Sequence, residues 1–178
     1  MIYREAYKFI ISQIGDILNN LDDESIKKAI DIMLSSNKIF IYGAGRSGII
    51  GKSFAMRLVQ LGLTAYFIGE TITPIVTEKD SVVLISNTGV TKSTLLVAEI
   101  CKNVNAKIIV ITANDKSQLI TYANEKILLK NVSHNSLAPL GTVFEDASLL
   151  LFDSIIAQMM QVLDENEEDL RKRHAIWV

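Results

Sequence analysis

The segment Lys38–Gly51, KIFIYGAGRSGIIG, leaves few options for the chain that contains it. A run rich in β-branched and aromatic side chains, Lys38 to Tyr42, passes directly into three glycines, Gly43, Gly45 and Gly48. Apolar residues at helical spacing then continue as far as Leu61. A strand that ends on a glycine-rich loop opening a helix is a building unit of α/β proteins. The first amide N–H groups of that helix have no partner inside it, and the helix dipole adds positive potential, so the loop can hold an anion.

The remainder of the chain repeats the alternation. Ahead of the loop, Tyr3 to Leu18 sets Tyr7, Ile10, Ile11, Ile14, Ile17 and Leu18 at helical spacing, with Gly15 as a weak point. Asp22 is placed to cap a second helix whose apolar face is Ile26, Ala29, Ile30, Met33 and Leu34. These two helices are surplus to a minimal α/β unit and must cover the sheet or a partner. The helix after Gly48 is expected to bury Ile49, Phe54, Leu58 and Leu61 and to stop at Gly62. Thr64–Ile68, Ser81–Ile85, Lys107–Thr112 and Glu125–Leu129 read as the next four strands. Helices are expected from about Thr91 to Asn103 and, briefly, from Ser117 to Tyr122. Lys130–Thr142 has no period and reads as an irregular crossover. A long helix from Val143 to about Leu163 then buries Phe144, Ala147, Leu151, Ile155, Met159 and Val162, before a charged turn and a short basic helix. The prediction is a single α/β domain, a three-layer α/β/α sandwich with a five-stranded parallel sheet. In such folds ligands sit outside the carboxyl ends of the strands, where strand order reverses.

Composition removes several alternatives. The chain has 178 residues, 49% of them apolar, which is enough for one substantial core. With 18 basic and 20 acidic residues the net charge is -2, and no cluster of Lys or Arg marks a nucleic-acid face. The lone Cys101 cannot form an internal disulfide or a multi-cysteine metal site. No apolar segment approaches the length of about 18 residues needed to cross a bilayer, and the N-terminus lacks a signal-peptide apolar region. A cytoplasmic protein is expected.

Two loops and two side chains carry the chemistry. The glycines of GAGRSG suit a dinucleotide fingerprint or a plain structural turn as well as a phosphate site. No Asp or Glu closes the second strand, however, and Glu70 comes a few residues late for ribose. In the loop after the third strand, Ser86, Thr88, Thr91 and Ser93 surround Gly89 just before a helix. One helix cap needs one hydroxyl, so four within eight residues favour a phosphate monoester held by hydroxyls and free N–H groups. Glu145 stands at the start of the long helix, either as a first-turn acid favoured by the dipole or as a base, and Asp146 is assigned to the dipole. His174 is either a favourable cation near a helix end or a proton shuttle. Arg57 reads as a pairing residue or part of an interface, with the structural role favoured, and His134 as structural or solvent-facing. The apolar Ile176, Trp177 and Val178 suit contact with a neighbouring subunit.

With these residues in view, the chain resembles the sugar isomerase (SIS) domain family and, within it, the 6-phospho-3-hexuloisomerases. The matching segments are GAGRSG (Gly43–Gly48), FAMRL (Phe54–Leu58), GETITP (Gly69–Pro74), ISNTGVTKS (Ile85–Ser93), PLGTVFEDA (Pro139–Ala147) and KRH (Lys172–His174). Within the second loop, Asn87 stands where the family usually has glycine, Thr88 serine, Val90 arginine and Lys92 glutamate. The resemblance implies a flavodoxin-like SIS fold and the interconversion of D-arabino-3-hexulose 6-phosphate and D-fructose 6-phosphate, without cofactor or metal. It implies that Ser47, Ser86, Thr88 and Thr91 hold the phosphate. Gly45, Arg46, Glu70, Thr71 and Asn87 would complete the substrate contacts, with Glu145 as base and His174 assisting. It further implies a homodimer or homotetramer and functional coupling to 3-hexulose-6-phosphate synthase. Arabinose 5-phosphate or sedoheptulose 7-phosphate isomerisation, or phosphosugar binding without catalysis, are the alternatives.

Overall fold

The computed structural model describes residues 1–130 and 135–175. Its sheet is built from segments whose alternate side chains serve two different cores. Strands β1 (Ile39–Gly43), β2 (Ala65–Phe67), β3 (Ser81–Ile85), β4 (Lys107–Thr112) and β5 (Glu125–Leu128) are all parallel, in the order β2-β1-β3-β4-β5. Ile39, Ile41, Val83, Ile85, Ile109 and Ile111 point into one core, and Phe40, Val82, Leu84, Ile108 and Val110 into the other. Near-continuous β-branched runs are what a sheet covered on both faces requires.

The two covering layers are unequal. One contains α1 (Ile2–Leu18), α2 (Asp23–Leu34), α3 (Arg46–Gln60) and α5 (Thr142–Leu163). The other contains α4 (Lys92–Asn103) and a 3-10 turn at Gln118–Tyr122. The result is the three-layer α/β/α sandwich expected, with flavodoxin-like strand order. In the thicker layer the Phe54 and Phe152 rings stack at 4.2 Å, worth about 1 kcal/mol beyond their buried area. The surplus N-terminal helices cover the sheet rather than extending from it. Ala29, Ile30 and Met33 of α2, and Ile14 and Ile17 of α1, join the core below α5.

Several boundaries and faces differ from the sequence reading. β2 is shorter than Thr64–Ile68: its register with β1 runs from Ala65 to Phe67, with Thr64 accepting from Ile39 N–H and Ile68 N–H donating to the Ile41 carbonyl at its two ends. The helix of the glycine loop begins at Arg46, before Gly48, so Ile50, Phe54 and Leu58, at i, i+4 and i+8, face the sheet. Ile49 is turned to solvent. Tyr7 and Ile11 of α1 and Val162 of α5 are likewise exposed, because each lies off the stripe its helix turns inward. α5, with 22 residues, is long and apolar enough to cross a membrane by length and composition, contrary to the sequence reading. Here Phe144, Ala147, Leu151, Ile155 and Met159 bury it in the thicker layer.

Asp22 caps α2 as expected, accepting from the Glu24 N–H. α6 (Glu167–Lys172) opens with a capping box between Asn166 and Asp169. It returns the chain to the far end of α3, where Arg173 donates to the Gln60 carbonyl at 3.3 Å and forks onto the Glu165 carboxylate. That guanidinium holds the Glu165 carboxyl below its ordinary range. Arg57 contacts Gln60 and lies 4.0 Å from Asp153 of α5, a pairing role between helices. His134 and the tail residues Ile176, Trp177 and Val178 lie outside the described residues.

Candidate active site

Strand order reverses between β1 and β3, so the loops after these two strands flank one crevice at the carboxyl end of the sheet. The first loop is closed by backbone contact. Gly48 lies so tightly against the Gly43 carbonyl that a methyl group there would collide with it. A methyl on Gly43 would in turn meet the Ser47 carbonyl carbon at 2.8 Å. This tight turn starts α3 and buries the Ser47 side chain at its first turn.

The second loop is arranged around Gly89, whose φ of +64° is left-handed. Its α-carbon faces Ser117 with no room for a side chain. The Gly89 N–H donates to Ser86 Oγ at 3.2 Å, and Ser86 Oγ lies 3.3 Å from Thr91 Oγ1. Thr91 occupies the N-cap position of α4 without making a side-chain cap bond. Its hydroxyl is therefore not spent on the helix, which removes the over-supplied-cap explanation. Asn87 contributes through its backbone, its carbonyl accepting from Ala113 N–H and Thr112 Oγ1. The carbonyl of Thr88 accepts from Asn114 Nδ2, leaving the Thr88 residue exposed beside the α4 N-terminus. Asn114 and Ser117, which brace this loop from beyond β4, were not singled out in the sequence. Their position just past the carboxyl end of the neighbouring strand was the available signal.

Glu145 completes the crevice from a third element. Leu140, with a left-handed φ of +56°, turns the chain into α5, and Gly141 then lies against the Glu145 carboxylate. A methyl on Gly141 would meet Glu145 Cδ at 3.1 Å. The residue is only 9% exposed. Ser47 Oγ donates to its Oε1 at 3.5 Å, a long bond that joins the starts of α3 and α5. Arg46 Nε lies 3.2 Å from Oε2, a buried oxygen to which no donor among the described residues is aligned for a hydrogen bond. One guanidinium thus faces two carboxylates, those of Glu145 and Asp146. Arg46 also donates to Thr142 Oγ1 at 3.3 Å and to Asp146 Oδ1 at 3.4 Å. Asp146 is an arginine partner as well as a first-turn acid.

The structure therefore brings together Gly45, Arg46, Ser47 and Glu145, and across the switch point Ser86, Asn87, Thr88 and Thr91. The remaining predicted residues, Glu70, Thr71 and His174, lie on other elements. Glu70 is exposed and its carboxylate lies 2.6 Å from Lys52 Nζ, which ties the loop after β2 to α3. Thr71 is exposed on the same loop. His174 is exposed and follows Arg173, which sits at the opposite end of α3, a helix of 15 residues or about 22 Å. Within the chain it does not approach Glu145. A groove of about 490 Å³ between α2 and α5, lined by Ile26, Ile30, Gln158 and Val162, lies away from the two loops. Among the described residues no three His, Cys, Asp or Glu side chains cluster as metal ligands would.

The family is decided by comparison with known proteins. The SIS domain matches residues 32–162, which include both loops and Glu145. The chain belongs to the SIS domain family. Among SIS relatives, the 3-hexulose-6-phosphate isomerase of Methanocaldococcus jannaschii is 43% identical over 82% of this chain and 79% of its own length. The Bacillus subtilis protein of the same name is 34% identical over 91% of this chain and 95% of its own. A Methanococcus jannaschii crystal structure, from which a 3-hexulose-6-phosphate isomerase function was inferred, has a TM-score of 0.91 and 36% identity. It covers 98% of this chain and 99% of its own.

Proposed function

We propose that this chain is a sugar-phosphate isomerase, and specifically one that interconverts 3-hexulose 6-phosphate and fructose 6-phosphate. Four curated relatives that carry the name 3-hexulose-6-phosphate isomerase support this reading. The observation that carries the chemistry is Glu145. It is a buried carboxylate held between Arg46 and Ser47, on the same end of the sheet as the hydroxyl-lined loop after β3. Moving a carbonyl from C3 to C2 requires removal of the C2 proton, a 2,3-enediolate, and return of a proton to C3. A hydroxyl proton moves from O2 to O3 at the same time. The change is redox-neutral, and one carboxylate on one face of the sugar can perform both carbon proton transfers.

In this reading Ser86, Thr88, Thr91, Ser47 and the N–H groups at the start of α4 hold the phosphate. The Glu145 carboxylate carries the proton between carbons. His174, remote from Glu145 in its own chain, serves the hydroxyl protons of a neighbouring copy in a homodimer or homotetramer. Exposed apolar side chains on α1 (Ile2, Tyr3, Ile11) and α3 (Ile49, Met56) support such association. A phosphorylated 3-ketohexose must be supplied by another enzyme, which is the basis for coupling to a 3-hexulose-6-phosphate synthase.

Incubation with fructose 6-phosphate in heavy water tests the assignment. Formation of the 3-keto isomer, with deuterium entering at C2 or C3 by NMR, is the expected result. Folded protein that exchanges no carbon-bound hydrogen is not this isomerase. Faster turnover of arabinose 5-phosphate or sedoheptulose 7-phosphate would reassign the substrate.

A further inference from the structure

We propose that Arg46 is a displaceable cover on Glu145, an autoinhibitory contact that closes off the carboxylate until an anionic ligand draws the guanidinium away; this rests on the reading of Glu145 as the base. Neither carboxylate oxygen is presented to a ligand. Oε1 accepts from the hydroxyl of the buried Ser47 at 3.5 Å. Oε2 is buried, with Arg46 Nε at 3.2 Å and the Gly141 backbone so close that a methyl there would meet it at 3.3 Å. A base has to come within about 3 Å of the atom whose proton it takes, or reach it through one water. One of these neighbours must therefore give way before Glu145 can act.

Arg46 is the neighbour that can move without disturbing the backbone. Ser47 is locked into the first turn of α3 by the Gly43–Gly48 contact, and Gly141 is itself backbone at the start of α5. The Arg46 side chain is 51% exposed and that of Glu145 only 11%, so the guanidinium lies on the solvent side of the carboxylate. Its other ties are long: it donates to Thr142 Oγ1 at 3.3 Å and to Asp146 Oδ1 at 3.4 Å. Half-exposed contacts of this length add little to stability and are readily exchanged. An anion held in the crevice between the two loops offers arginine two parallel acceptors at full charge. A neutral sugar offers none, and a ligand shifts a two-state contact only by its differential affinity for the two states. A phosphorylated ligand thus uncovers Glu145 and an unphosphorylated one does not, which couples recognition of the phosphate to exposure of the base.

Carbodiimide coupling of glycine ethyl ester to carboxyl groups, followed by peptide mass spectrometry, measures the cover without any turnover. In the unliganded parent, Glu145 should label at least about tenfold more slowly than Glu168, whose side chain is 78% exposed. Arg46→Ala should raise Glu145 labelling about tenfold and leave Glu168 unchanged. Saturating sulfate, standing in for the phosphate dianion, should raise Glu145 labelling in the parent about fivefold at an ionic strength matched with chloride. Fructose should have no such effect. Equal labelling of Glu145 and Glu168 in the parent, unchanged labelling in Arg46→Ala, a sulfate effect no larger than that of chloride, or an equal rise with fructose would each overturn the proposal. The sulfate comparison uses the parent protein alone, so it decides the matter even where Arg46→Ala fails to fold. If the parent turns over no phosphosugar, the isomerase reading falls, and the labelling still decides whether Arg46 covers Glu145.

Discussion

The loop after β1 and the loop after β3 both open helices beside the same crevice, yet they are built from different materials. The first is backbone packed on backbone: Gly43 and Gly48 touch with no space for a Cβ, and the one cation it carries, Arg46, is engaged by α5. The second is a ring of hydroxyls around a left-handed glycine, braced by side chains from beyond β4. What backs them differs too. α3 belongs to a four-helix layer, whereas among the described residues α4 shares its side only with the short 3-10 turn; both helices leave apolar side chains exposed, Ile49, Met56 and Val59 on α3 and Leu96 and Ile100 on α4. The difference teaches a division of labour. The first loop sets where Glu145 and Arg46 stand; the second gathers hydroxyls, as the proposed phosphate site requires.

Substitution at the glycines should separate the loops most sharply. Gly48→Ala drives a methyl into a backbone carbonyl that cannot move aside, and should cost about 3 kcal/mol or more, a fall in Tm of roughly 10 °C. Gly89→Ala collides with the Ser117 side chain and meets Thr112 Oγ1 only at 3.3 Å, so adding Ser117→Gly should restore most of the lost stability, leaving about 1 kcal/mol from the positive φ. Thermal melts that show equal, unrescued losses at both sites would erase the contrast. Next in size is Glu145→Gln, expected to lower kcat by about a hundredfold or more while phosphosugar binding persists. Rates near the parent value would remove Glu145 as base.

Ser86→Ala addresses the anion side. It strips the acceptor from the buried Gly89 N–H and should raise KM about tenfold with kcat nearly unchanged. A loss confined to kcat would move Ser86 into the chemistry. The smallest effect concerns Cys101, buried under α4, where desolvation pushes the thiol up to about 11 from 9.0. The folded protein then holds this proton more tightly than the unfolded chain does. The associated stability is fully present below about pH 9 and declines as pH rises toward 11. Comparing alkaline melts of the parent and Cys101→Ala measures it; an identical slope above pH 9 in both would show that the thin layer does not seal the thiol.

The sheet was legible because its signal is local. A β-branched run such as Lys107–Thr112 is a buried parallel strand almost wherever it is placed, and strand-glycine-helix punctuation locates the carboxyl-end loops. The three segments that supply Ser47, Ser86 and Glu145 were found for the same reason. Helix faces were less legible. Ile49 and Ile50 are adjacent and alike, and only the start of α3 at Arg46 decides which one meets the sheet. The role of Asp146 was hidden as well. A first-turn acid is expected from the helix dipole alone, and its partner lies 100 residues away.

By itself, then, the sequence determined the α/β alternation, the hydroxyl-rich loop after β3 and the candidate base, since each depends on residues within one strand-loop-helix unit. The tertiary structure decided which groups meet. It turned the Arg46 guanidinium onto α5, paired Glu70 with Lys52, and set His174 at the far end of α3 from its own Glu145. Those outcomes depend on strand order and on helix ends brought together from distant parts of the chain, and no local pattern encodes them.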